Sequence, residues 1–317
     1  MGRGGRRPDP AEIALQALNA VPPDADRAAQ HAAIAAALAH VSFRVVARAA
    51  TLAAERRLHE QVPNLLAAWP RFLKDGPRKD PQCQAKGAIT AALVALECDD
   101  VDFWLGGLHT VQMEPTWGRS IDTAVDVRCN CALGLVNSRH RRALIELTAL
   151  LNDSERRVRA GALRAISCGD PSQAELLLRF KAEIGDADAE VMGECFSALL
   201  AIAPEDSMPL VGSRLRDADE AVRDYAALAL GESRHALALD ELKAAWVHPK
   251  TPAAFRPVLA RAAALHRSEA AFDWLVGLIR HGDSNEAAIA VDALSVYDRN
   301  GTLMQRVAAA QAARASL

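Results

Sequence analysis

Residues 153–166 read Asp153-Ser-Glu-Arg-Arg-Val158-Arg159-Ala-Gly-Ala162-Leu-Arg-Ala165-Ile166, and the reading of this stretch decides the fold. Val158, Ala162, Ala165 and Ile166 recur at three- and four-residue spacing, which puts them on one face of a helix. The same nine-residue phrase, opened by Val with a small residue four and seven positions on, returns as Val127 to Leu135, Val191 to Leu199 and Val222 to Leu230. Successive copies begin 31, 33 and 31 residues apart. Looser copies start at Phe255 and Glu286, and earlier ones at Gln84 and Val46 with longer offsets of 43 and 38. Self-similarity at a period of about 20 to 50 residues marks a stack of supersecondary units, none of which can bury its apolar face alone.

Each unit reads as two helices. Arg139 to Leu151 places Leu144, Leu147, Leu150 and Leu151 at helical spacing, which predicts a first helix of about twelve residues. A polar break at Asn152-Asp153-Ser154 follows, and a second helix runs from about Glu155 to the stop at Gly169-Asp170-Pro171. Asp122, Asp153, Asp186 and Asp217 stand five residues before the opening Val, and Glu155, Asp188 and Asp219 stand three before it. Acidic residues at a helix mouth accept hydrogen bonds from unpaired backbone N–H groups. Arg128, Arg159 and Arg223 recur just after the Val, with Arg256 in the looser copy. In a stack these acids and arginines would fall into rows, a structural ladder able to pair between neighbouring units.

The form Asp-x-x-x-x-Val-Arg-x-x-Ala-x-x-Ala-Leu resembles the short HEAT repeats of the phycobilisome-lyase type, over roughly residues 38 to 315. The resemblance implies an all-α superhelix, a HEAT-like solenoid of about eight antiparallel helical hairpins, with the second helix of each pair lining the concave side. That class covers scaffolds, chromophore-lyase subunits and a metal-dependent hydroxylase, so it implies an architecture more sharply than a role. The expected organisation is a disordered basic tail over 1–10 and one domain over 11–317. Within that domain the clear repeats fill 122–299, the looser ones 38–121, and a capping helix 301–315.

Composition agrees with helices. Half the 317 residues are apolar but only 4% are aromatic, and Ala and Leu supply most of the apolar content. A formal net charge of −3 provides no global field for nucleic acid or an anionic membrane. No window approaches the roughly eighteen apolar residues of a membrane span, and Ala11 to Ala20 is too polar for an export signal. Cys131 and Cys195 occupy the small-residue slot held by Ala162 and Ala226, which makes them core fillers. The six cysteines show neither disulfide nor metal spacing, so the expected compartment is the reducing cytoplasm.

Function is sought where the pattern breaks. The first long offset contains Lys74-Asp-Gly-Pro-Arg-Lys-Asp-Pro-Gln82, a polar turn that reads as a solvated loop or a binding rim. The second contains His109-Thr-Val-Gln-Met113-Glu114-Pro-Thr-Trp117-Gly-Arg119-Ser120, which Pro115 and Gly118 prevent from being one helix. Trp, Met and Arg are enriched at interaction hot spots. The segment either plugs a gap between hairpins or recognises a partner, with Met113, Glu114, Trp117 and Arg119 as the contact residues. A third feature is arginine density, from Arg139 to Arg164, which reads as solvated helix surface or an anion patch.

Catalytic motifs are missing from the sequence. It holds no Gly-rich phosphate loop, no Gly-x-Ser-x-Gly elbow and no His-Glu-x-x-His helix. His59-Glu60 is the single His-Glu dyad, whereas the hydroxylase relatives implied by the resemblance bind metal through several. No cofactor is expected. The sequence therefore points to a non-catalytic scaffold that binds another protein on its concave face and through the 109–120 insertion. The alternatives are a HEAT-type enzyme or enzyme subunit, bilin-lyase-like or an oxidoreductase like deoxyhypusine hydroxylase, or nucleic-acid binding through a local Arg patch.

Overall fold

A computed structural model describes residues 9–297 and 301–315. It contains nineteen α-helices among the described residues and a single two-stranded hairpin. The chain divides into two compact units, Met1–Gly169 and Asp170–Leu317. The basic residues expected to form a tail lie at 1–8, outside the described residues, while Asp9 caps the first helix by accepting from Ala11 N.

In the first unit the elements are α1 (Pro10–Asn19), α2 (Arg27–Leu38), α3 (Phe43–Glu55), α4 (Val62–Ala68), α5 (Gly76–Lys79), α6 (Gln84–Ala95) and α7 (Val101–Gly107). Then come strands β1 (Met113–Pro115) and β2 (Ser120–Asp122), α8 (Val125–Asn137), α9 (Ala143–Leu147) and α10 (Arg156–Ser167). The phrase-bearing helices pack in a row, α3 on α6, α6 on α8 and α8 on α10. Val46, Val127 and Val158 are fully buried, as are Cys131 and Ala162 four residues on. At Gln84 the register is displaced by one. Gln84 is exposed, whereas Ala85, Ile89, Ala92 and Leu93 form the buried face.

The first helix of the pair at 139–151 is shorter than its periodicity suggests. Arg139 turns into the left-handed region at φ 54°, α9 spans five residues, and a 3-10 turn at Ala149–Asn152 completes the segment. Leu144, Leu147 and Leu150 are nevertheless buried, so the apolar spacing reports the buried face correctly. Helical spacing cannot tell a continuous helix from two short turns that present the same side.

The second unit holds α11 (Pro171–Ile184), α12 (Ala189–Ile202), α13 (Pro204–Ser213), α14 (Glu220–Ser233) and α15 (Ala236–Val247). It continues with α16 (Arg256–His266), α17 (Glu269–His281), α18 (Ser284–Ser295) and α19 (Thr302–Ala315). Here α12, α14, α16 and α18 form the row, each packed on the next, and α11, α13, α15 and α17 pair with them. Four residues separate α11 from α12, so the two run antiparallel. The row is tight because small residues sit at the crossings: a Cβ on Gly231 would stand 2.2 Å from the Ala262 carbonyl oxygen. Both units are thus all-α stacks of helical hairpins, and no described helix is long and apolar enough to cross a membrane.

The recurring acids perform one local task. Asp122 Oδ1 accepts from Ala124 N, Asp153 Oδ1 from Glu155 N, Asp186 Oδ1 from Asp188 N and Asp217 Oδ1 from Asp219 N. Each thereby closes the turn that precedes a row helix. Asp188 and Asp219 then cap the helices themselves, while Glu155 makes no side-chain cap bond. The arginines divide by position. Arg128 reaches Asp122 at 2.5 Å and Asp153 at 3.1 Å, so it links two successive turns. Arg159 and Arg223 donate to the carbonyls of their own turns, Asp153 and Asp217, at 2.9 and 2.8 Å. Where Met192 takes the arginine slot, Lys181 meets Asp186 at 2.7 Å, with both side chains buried.

Candidate functional site

The two long offsets, far apart in sequence, meet in space. Asp80 is fully buried and its carboxylate accepts from Ala85 N at 2.7 Å and Lys86 N at 3.0 Å, holding the mouth of α6. Lys86 is 1% exposed, and its ammonium lies 3.3 Å from Asp80 while donating to Phe72 O and to Gln112 Oε1, the latter at 2.6 Å. Gln112 returns the connection by donating from Nε2 to Asp80 O at 2.9 Å. A buried charge costs several kcal/mol unless it is paired and hydrogen-bonded, and here every polar end of the cluster has a partner. The polar turn expected at 74–82 is therefore not a freely solvated loop. Gly76 is buried against Gln112, and a Cβ there would stand 2.2 Å from Gln112 Oε1.

On this base the 109–120 segment forms a β-hairpin, with Met113 opposite Asp122, Glu114 opposite Ile121 and Pro115 opposite Ser120. The loop is closed by Thr116 N donating to Arg119 O at 3.2 Å, and Gly118 sits at φ 120°, a conformation that favours glycine. Glu114, expected to contact a partner, is committed elsewhere. Its Oε1 accepts from Gln82 N at 2.6 Å, Gln112 Nε2 at 2.7 Å and Thr123 Oγ1 at 2.9 Å. Burial raises the Glu114 pKa, but these three donors together hold it below the ordinary glutamate value. The same balance acts at Asp122, where bonds from Gln112 N, Ala124 N and Arg128 outweigh desolvation and the pKa is lowered.

The remaining hairpin residues point outward. Trp117 is wholly exposed at the tip, Met113 is 52% and Val111 61% exposed, and Arg119 makes no ion pair among the described residues. These large apolar side chains stand in contact with water on a hydrogen-bonded base. The support is strained as well. Gln82 and Cys83 hold consecutive left-handed conformations at φ 60° and 53°, each costing about 1–3 kcal/mol for residues other than glycine. Glu114 pins the first through its N–H, and Cys83 Sγ lies 3.4 Å from Thr123 Oγ1.

Sequence reasoning located Met113, Glu114, Trp117 and Arg119 but passed over Asp80, Lys86 and Gln112. The signal was a lysine inside the otherwise apolar start of α6, Ala85-Lys86-Gly87-Ala88-Ile89. The arginine-dense stretch is dispersed by comparison: Arg157 pairs with Asp126 at 2.7 Å and Arg142 with Glu146 at 3.4 Å. At the His-Glu dyad, Glu60 is held by Arg27 at 2.8 Å and His59 Nδ1 lies 3.2 Å from Leu96 O. No group of three or more potential metal-binding side chains is gathered among the described residues. The four cysteines Cys83, Cys98, Cys131 and Cys195 are buried free thiols, and burial pushes Cys195 up to about 12.

Fold and site together define a helical-repeat protein whose first unit carries an exposed hairpin on a buried polar base. No family model matches the chain, and a search of curated proteins finds no match. Among solved structures the chain is similar to the complex of CpcE and CpcF of phycocyanin lyase from Nostoc, at 16% identity and a TM-score of 0.36, covering 89% of this chain and 94% of that one. It is similar to an engineered protein at 18% identity and a TM-score of 0.36, covering 95% and 88% respectively. It is also similar to human deoxyhypusine hydroxylase in complex with glycerol, at 15% identity and a TM-score of 0.27, covering 92% and 96%.

Proposed function

We propose that the stacked pairs are short HEAT repeats of the phycobilisome-lyase type and that the protein is a non-catalytic scaffold, working in the cytoplasm, that binds another protein on the concave face of its repeats and through the 109–120 insertion. The observation that carries this reading is the contrast within one element. Gln112, Glu114 and Asp122 anchor the hairpin through internal hydrogen bonds, while Trp117 and Met113 are left in water. An aromatic residue held at the tip of a fixed support loses little conformational freedom on binding, which is what a hot-spot residue needs.

Capture of native partners by wild type and by Trp117→Ala tests the reading. Trp117 is fully exposed, so its removal should alter folding stability by no more than about 0.5 kcal/mol. The expected result is loss of a specific partner with an unchanged thermal transition. Equal recovery of every partner by the two proteins would remove the hairpin from the functional account.

A further inference from the structure

The two insertions sort their charges by exposure. Asp80, Glu114 and Asp122 all turn inward, onto Lys86, Gln112, Thr123 and Arg128. Lys74, Arg78, Lys79 and Arg119 all face water, accompanied by Asp75 alone, which pairs with Arg78 at 2.5 Å. A chain with net charge −3 therefore presents a locally cationic surface here. That surface is also apolar. A groove of about 540 Å³ opens beside α5, with Val41, Phe43 and Phe72 among its lining residues and Arg78 and Lys79 beside them. Val41 is 88% exposed. Arg71, also at this groove, is engaged by the carbonyls of Leu38, Ala39 and His40 and so acts as wall rather than as a free cation. Through Gly76, α5 touches Gln112 at the foot of the hairpin, so groove and hairpin share one support.

We infer that this surface binds an acidic, extended protein segment carrying apolar side chains, the carboxylates meeting Lys79 and Arg119 and an apolar residue entering the groove beside Val41. The inference rests on the protein-binding reading and names the chemistry of the partner. Charge complementarity selects an acidic ligand. The aliphatic character of Val41, Val111 and Met113 favours a peptide over nucleic acid, whose bases need aromatic platforms for stacking, and Trp117 is the single wholly exposed aromatic here.

The test is fluorescence anisotropy of a labelled synthetic peptide of Asp and Glu interspersed with Phe and Leu, titrated with the full chain at low salt. Saturable binding is expected, weakened roughly tenfold or more by Lys79→Glu with Arg119→Glu and by replacing the peptide's acids with Asn and Gln. Both substituted positions are exposed, and circular dichroism verifies that the variant folds. No saturable binding, or an affinity indifferent to the charge reversal, overturns the inference. Tighter binding of single-stranded oligothymidylate than of the peptide overturns it in favour of nucleic acid. Partner capture that survives the charge reversal but is lost in Trp117→Ala defeats this inference while leaving the protein-binding reading standing. Capture indifferent to both defeats the two together.

Discussion

The ammonium of Lys86 donates to Gln112 Oε1 at 2.6 Å, out of reach of solvent, and this bond joins the mouth of α6 to the foot of the hairpin. The two residues are 26 apart in sequence, and between them lie the rest of α6 and all of α7. The hairpin is thus held to the repeat stack from beneath, by a charge that has no other exit.

Replacing Lys86 by Met keeps the volume but strands Asp80, Gln112 Oε1 and the Phe72 carbonyl. Removing one member of a buried pair costs about 3–5 kcal/mol. Lys86→Met combined with Asp80→Asn should recover at least about 1 kcal/mol of that loss, because the uncompensated carboxylate is gone. Urea unfolding of the two single variants and the double measures the coupling. A Lys86→Met stability within about 0.5 kcal/mol of wild type would contradict the network.

Arg128 carries the corresponding load at the next turn. Its side chain is 3% exposed and bridges Asp122 and Asp153, and burial, which lowers its pKa, is outweighed by these carboxylates so that the net shift is upward. Arg128→Ala should destabilise by about 3–5 kcal/mol, well beyond the effect of Arg157→Ala, whose exposed pair with Asp126 contributes at most about 1 kcal/mol. Similar midpoints for the two variants in denaturant would show that burial is not what sets the difference.

Acid should loosen the hairpin before it unfolds the stacks. Asp122 and Glu114 both have lowered pKa values in the folded protein, so the unfolded chain binds more protons as pH falls. Their contribution is full above the ordinary carboxylate range and is lost as pH drops through the depressed folded values. Trp117 reports it: the local mobility of the indole, read by time-resolved anisotropy in a variant with the other tryptophans replaced, should rise in acid ahead of the loss of helical circular dichroism. Coincident transitions would deny the hairpin its separate anchorage. Asp122→Asn should weaken the pH dependence of the early step, and combining it with Glu114→Gln should remove what remains.

Two glycines of the second unit should respond with opposite sign to the same change. A Cβ on Gly231 meets the Ala262 backbone at 2.2 Å, so Gly231→Ala forces α14 away from α16 and costs about 1–3 kcal/mol. Gly277, within α17, has open space around the added atom, and Gly277→Ala should stabilise by about 0.5–1 kcal/mol through a lower unfolded-state entropy. Equal shifts in thermal midpoint would mean that the row helices are not in backbone contact.

The repeat was legible because close packing of helices constrains every fourth residue locally. Val127, Val158 and Val191 are buried alike because each occupies the same place on a row helix. That 109–120 is not one helix was legible too, since Pro115 and Gly118 break a helix, but whether Trp117 is exposed or plugs a gap was not. The anchoring role of Glu114 was not legible, because the donors to its Oε1 come from residues 82, 112 and 123. Arg159 and Arg223 also donate to the carbonyls of their own turns, a local contact that the spacing of the phrase does not reveal.

Periodic spacing of Val, Ala and Leu was enough to determine the helical pairs, their approximate lengths in most units and the face each one buries, because those properties depend on residues within a few positions of one another. Tertiary structure alone decided that the buried Asp80, Lys86 and Gln112, with Glu114 at their edge, form one support, and that the cations of both insertions are left exposed. Polar contacts between segments some thirty residues apart leave no periodic trace, since their partners are chosen by where the intervening helices bring the chain back.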